Sequence, residues 1–547
     1  TADRFSITGT DPAITANNAA ISFVDGGTTD ITLADASDIT ITSGGGDIDI
    51  EPQIKGTADG DNSDVILNAG GGAIVLDNPG GAVLGSDVGA ITLTGASITV
   101  SNDITADGGA IDINGAFVAA TRAITVTSGG GSIDFSSTIN GGSQNLVITS
   151  GAGAVGVGSH ITSTGNLTIG SDTGAGAITL SGNIGTDSAA GAGVVIIGNG
   201  NTASLTLAGV EYTTSDAATY TADTFALNGA NITFQSSNDN IGFVDGGSGG
   251  IVLADAANLT ISTELDGSAG GNISIAPSLL GTDDGDSTTV TLDAGSGTVS
   301  LVAVGTDIGA TAITSSAGIT LNGTMTTKGA VTFTGPVNLA TGAVMVNSSG
   351  GNGNISFTST IDGTQALTLS SGTGSVDING IIGGTTEVGA LTINSTGSGT
   401  IAIEQIGDGD PSAGVVGVTG IGNSTTTGIT FDGTQYTING ATTVTSASGD
   451  RIDFTAGSAT TFTTSADAIT FSGGNIELGA GSDLTITSAN GAVSIAGVMG
   501  THDEDITITA GTSTLAIGDI GTLEEINTVT LTGATITLSG DITTSNA

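Results

Sequence analysis

Short runs of strict alternation constrain this chain more than any other feature. Between residues 38 and 150 they read DITIT, DIDIE, DVILN, AIVLD, AITLT, SITVS, AIDIN, AITVT, SIDFS and LVITS, and they restart about every ten to thirteen residues. Ile or Val alternates with Thr, Asp or Ser, a period of two that buries one face of a strand and wets the other. The spacers GGG, SGGG, TADGG and SGAG are turn sequences, because glycine reaches backbone angles that other residues avoid. No stretch of even ten residues carries helical periodicity. The chain is therefore all-β and built from many short strands.

A longer repeat overlies this grain. SFVDGGTTDITLADASDITIT (22–42) aligns without a gap on GFVDGGSGGIVLADAANLTIS (242–262). FSSTINGG (135–142) matches FTSTIDGT (357–364), and GVEYTT (209–214) matches GTQYTI (433–438). A third copy begins near ITFSGG at 469 and runs through TVTLTGATITLSGDITT, which matches AITLTGASITVSNDITA (90–106). The units are residues 1–220, 221–449 and a partial third, 450–547, each full unit being about 220–230 residues. TADRFSITG (1–9) resembles TADTFALNG (221–229), so the repeating pattern already runs at residue 1. The expectation is a segment of a longer chain, or a subunit whose ends are covered by neighbours.

Composition chooses among β architectures. Aromatic residues are 3 % with no Trp, too few for an array of sandwich domains or for propeller blades. A solenoid needs only small aliphatic residues stacked coil on coil, with Gly, Asn and Asp at the corners. The expected fold is thus a parallel β-helix (β-solenoid), an elongated rod of about 20 coils on the order of 100 Å long. Phe23, Phe243 and Phe471 recur at one position, and Phe135 and Phe357 at another; they are read as interior stackers.

Charge excludes whole classes of partner. Five basic residues face 52 acidic ones, for a net charge of −47. Nucleic acids and anionic lipid surfaces both require Lys and Arg, so neither is an expected partner. No apolar run approaches the roughly 18 residues of a membrane-spanning helix. The absence of cysteine removes disulfides and thiolate metal sites, and is compatible with export.

FTSTIDGTQALTLSSGTGSVDINGIIGGTTEVGALTINS (357–395) carries the pattern F-x-x-x-I-x-G-x-x-x-L-T-L, a Gly-rich turn, V-x-I-N-G-x-I-G-G, then L-T-I. This resembles the β-strand repeats of giant secreted bacterial surface proteins of the filamentous-haemagglutinin adhesin type. The copy at 135–170 follows it loosely and lacks I-G-G. The resemblance implies that the β-helix is a right-handed parallel one on the outside of a bacterial cell, serving in adhesion, biofilm or surface layers. The N-terminal secretion domain of that family is not seen in this sequence.

One element could carry chemistry. G-T-x-D-x-D occurs in GTADGDNSD (56–64), GTDDGDSTT (281–289) and GTHDED (500–505). It supplies the carboxylate pairs Asp59 and Asp61, Asp284 and Asp286, and Asp503 and Asp505. Asp64, Asp283 and Glu504 are the nearest additional acids. Calcium takes six to eight oxygens from carboxylates and carbonyls of tight loops, so these pairs are candidate calcium ligands. The competing reading is an acidic turn exposed to water, and the same holds for Asp25 and Asp245 in FVDGG. No other cofactor is expected.

An enzyme is not expected. His160 and His502 do not recur among the copies, and Arg122 and Lys55 read as ordinary surface residues. Ice binding by ranks of T-x-T is a rival use of such a solenoid, set aside here because the coil spacings vary. The expected function is extracellular and structural: a fibre, sheath or surface layer assembled from solenoids end to end or side by side. The alternative is the stalk of a large adhesin. The expected partner is another copy or a neighbouring repeat, with a polysaccharide or cell-surface receptor as a further possibility.

Overall fold

A computed structural model describes residues 5–26, 30–57, 63–78, 80–85, 87–171, 174, 176–185, 191–247, 249–265, 267, 269–282, 288–410, 413–501, 503–522 and 524–545. Among these residues there is no helix, and the named strand pairings are parallel. Two compact units are present, Thr1–Pro277 and Ser278–Ala547. Each is a parallel β-solenoid, and the two together make about 22 turns.

The coil is legible in the pairing. Ile124–Ser128 pairs with Leu146–Ser150, Ile133–Phe135 with Val155–Val157, and Ile139–Asn140 with Ile161–Thr162. Each of these strands thus meets the third strand on, which puts three strands in this turn and three sheets around the core. Each strand offers one edge to the coil before and the other to the coil after. The sheets therefore run on from coil to coil and do not close into a barrel. Coil length is not fixed: Asp103 and Thr125 lie 22 residues apart, Asp38 and Asp64 26, and Asn240 and Asn272 32. The turns absorb the difference, and strand register survives it.

Alternation becomes stacking. In the first unit one inward column runs Ile39, Val65, Ile91, Ile111, Ile133, Val155, Ile178, Leu205, Phe225 and Ile251, each paired with the next. None is more than 2 % exposed. In the second unit an equivalent column runs Val331, Ile355, Val376, Ile401, Ile429, Ile452 and Ile476. Each such aliphatic rung contributes about 1.5–3 kcal/mol by burial. Thr311 interrupts this column between Val290 and Val331, and its buried hydroxyl has no hydrogen-bond partner.

The few aromatics concentrate inside. Tyr212, Tyr220, Phe225, Phe234 and Phe243 form one cluster, with Tyr212 stacked on Phe234 at 4.8 Å. Phe431, Tyr436, Phe454, Phe462 and Phe471 form a second, with Phe431 stacked on Phe454 at 4.9 Å. Phe135, Phe243, Phe357 and Phe471 are at most 1 % exposed, so they are interior stackers. Phe23 is half-buried and meets Phe5 edge-on at 5.3 Å.

A polar ladder complements the apolar one. The Asp64 N–H donates to Asp38 Oδ1 at 2.8 Å, and the Ala90 N–H donates to Asp64 Oδ1 at 2.6 Å. Asn145 and Asn166, Asn240 and Asn272, and Asp483 and Asp505 repeat the arrangement, each at 2.8 Å. An Asp or Asn beside a strand start thus accepts a backbone N–H from the next coil. Such acceptors satisfy donors that the turns leave outside the sheet ladder.

Candidate functional site

The acidic turns are the first candidate. Asp59, Asp61, Asp284 and Asp286 lie outside the described residues. Asp503 and Asp505 are described, and their neighbour Glu504 is the residue the fold treats differently. Asp503 is exposed, Glu504 is 1 % exposed and Asp505 is half-buried. Alternation along the chain sends the middle acid inward and its flanks outward.

Stacking register explains this. Val65 stacks beside Ile39, and Ile506 stacks beside Leu484. Asp505 therefore holds in its coil the place Asp64 holds in the first copy, donating its N–H to Asp483 and accepting from Asn527 Nδ2 at 2.9 Å. Glu504 holds the inward place of Ser63, and Thr288 occupies it in the second copy; both are fully buried. The Ser63 hydroxyl there accepts the Ser37 N–H at 3.2 Å. Glu504 does the same work with a carboxylate. Oε1 accepts the Gly481 N–H at 3.1 Å and the Thr501 hydroxyl at 2.7 Å, and Oε2 accepts the Thr501 N–H at 2.7 Å. Burial alone would raise its pKa. Donation from Thr501, Gly481 and its own N–H outweighs burial and holds the carboxyl below its ordinary value.

Among the described residues no three His, Asp or Glu side chains gather in a way that could hold a metal ion. Asp64 serves the coil ladder, and Asp245 Oδ1 accepts the Gly247 N–H at 2.9 Å, closing its own turn. Lys55 pairs with Asp30, Lys328 with Asp307 at 2.6 Å, and Arg122 is exposed. His160 accepts the Asn183 N–H on Nδ1 at 3.0 Å, so it acts as one more rung of the polar ladder.

The most chemically varied cluster was not singled out by the sequence reading. Arg451 and Asp453 stack beside Asn475 and Glu477 on adjacent strands of one outward face. Arg451 pairs with Glu477. A cavity of about 400 Å³ opens beside Arg451 and Asn475, bounded also by Asp450, Met499 and Glu524. Burial, then Asp453 and Glu524, push the Glu477 carboxyl up, against the pull of Arg451. Burial and Asp432 push Asp453 up in the same way. The signal was present as R-x-D and N-x-E, but only coil stacking makes residues 451 and 475 neighbours.

No family model matches the chain, and no curated protein or solved structure matches it either.

Proposed function

We propose that this chain is an extracellular structural repeat protein that builds a fibre, sheath or surface layer by solenoid assembly. One observation supports the reading most: stacking is translational. Within each unit the described coils present to the next parallel strand edges in register, inward columns that are aliphatic apart from interruptions such as Thr311, and in several coils an Asp or Asn acceptor. Parallel strand edges that repeat in this way can template further strands between chains as they do within one. The acidic exterior, absence of cysteine and resemblance to secreted repeat proteins support an extracellular setting. Calcium at the acidic turns belongs to the same proposal, as a ligand that would draw negative coils together.

The test is electron microscopy of the purified chain on matched calcium and EDTA grids. Uniform filaments or sheets are expected, and their loss in EDTA would assign calcium to the assembly. Separate particles in both conditions would overturn self-assembly and favour the second reading, a stalk segment of a large adhesin.

A further inference from the structure

One outward face of the second unit carries an array that differs from the rest of the surface. The strands Thr460–Thr464, Leu484–Ser488, Asp505–Thr509 and Thr528–Thr532 stack in unbroken parallel register. One rank of that register is Thr461, Thr485, Thr507 and Thr530. The other is Thr463, Thr487, Thr509 and Thr532, and Thr437 extends it by one coil. Eight threonines therefore stand as four consecutive T-x-T units. The variable coil lengths that argue against such an array from sequence fall in the turns, where they leave the ranks undisturbed.

Three physical properties of the array point to one ligand. Spacing is the first: rungs repeat about every 4.8 Å along the stack, and the ranks lie about 6.7 Å apart along the strand. Both are close to the repeats of oxygen atoms on a prism face of hexagonal ice. Second is charge. The two ranks are neutral in a chain of net charge −47, so they suit an uncharged lattice and not an ion or a polyelectrolyte. The nearest acids, Asp483 and Asp505, flank one edge and are held by the coil ladder. Third, among the described residues none of the eight hydroxyls hydrogen-bonds to the protein. Neighbouring hydroxyls do: Thr460 bonds the Gly433 carbonyl, Thr464 that of Asp467, and Ser488 also that of Asp467. The array hydroxyls are left to water, with a methyl beside each to restrict where that water sits.

The geometry points to an ice-binding surface formed by these two threonine ranks. This function is independent of filament assembly. The test uses the full chain in three readouts: adsorption to a growing ice hemisphere, crystal shaping, and inhibition of ice recrystallisation. The unaltered chain is expected to adsorb and to arrest recrystallisation. Thr487→Lys and Thr509→Lys place charge at the centre of the array and are expected to abolish both effects. Thr332→Lys, on an outward face away from the array, is expected to leave them intact. Circular dichroism of each variant checks folding, and Thr487→Ser with Thr509→Ser removes only methyls and should weaken adsorption. Failure of the unaltered chain to adsorb overturns the proposal. So does equal loss in Thr332→Lys, or light scattering in which the array variants instead dissolve a dimer.

Discussion

Three copies of one turn make a direct test of backbone strain. LADAS (33–37), LADAA (253–257) and LGAGS (478–482) close with the same hydrogen bond, from Ser37 to Ala34 at 3.0 Å, Ala257 to Ala254 at 3.0 Å, and Ser482 to Gly479 at 2.9 Å. The residue just before each donor is left-handed: Ala36 at φ 51°, Ala256 at φ 54° and Gly481 at φ 75°. Two copies thus carry alanine where the third carries glycine. Both alanine methyls are exposed, so replacing them removes no buried surface. A left-handed non-glycine residue costs about 1–2 kcal/mol. Glycine returns about 0.4–1 kcal/mol of that through the greater entropy of the unfolded chain. Ala36→Gly and Ala256→Gly should therefore each stabilise their coil by about 0.5–1 kcal/mol. Gly481→Ala should destabilise by a similar amount, because a Cβ there meets nothing nearer than the Gly457 oxygen at 3.4 Å and only the backbone is strained. Solenoids open locally, so the assay is amide hydrogen exchange on peptides covering the three turns. Exchange should slow by roughly two- to fivefold in the two glycine variants and quicken as much in Gly481→Ala. Faster exchange in Ala36→Gly and Ala256→Gly, or no change in Gly481→Ala, would refute the strain argument.

Other consequences can be read in the same way. Tyr220 is fully buried and its hydroxyl has no partner, so Tyr220→Phe should stabilise the first unit by about 1 kcal/mol or more in urea unfolding. Tyr436→Phe should do the opposite by about 1 kcal/mol, because its hydroxyl accepts the Gly433 N–H at 2.8 Å and donates to the Glu404 carbonyl at 3.0 Å. Glu504 has a folded pKa below its unfolded value of 4.5. Its stabilising contribution is complete above that value and is lost as pH falls through the folded pKa; Glu504→Gln should flatten that acid limb in unfolding measured against pH. Phe431→Ala should cost the second unit about 3–5 kcal/mol by opening a void among Tyr436, Phe454 and Phe462, seen as an earlier unfolding midpoint.

The acidic turns show where reading the sequence stops. G-T-x-D-x-D reads as one motif in three places. In the third place, strand register sends Glu504 into the core and gives Asp505 the ladder role that Asp64 has in the first. Spacing along the chain counts residues, while register counts coils, and the third turn reaches its strand in fewer residues. Arg451 and Glu477 were equally hidden, since 26 positions separate them and only one coil rise does so in space.

The sequence by itself determined the class of fold. Alternation of Ile or Val with Thr or Asp permits only strands with one buried face, and glycine at regular intervals permits only short ones. With so few aromatics, stacking small side chains coil on coil was the available way to build a core. Tertiary structure alone decided which residues become neighbours between coils. Turns of unequal length keep the strands in register, and that register assembles the threonine ranks, pairs Arg451 with Glu477 and buries Glu504. These contacts depend on the hydrogen-bond ladder between strands, which joins residues whose separation along the chain varies from coil to coil.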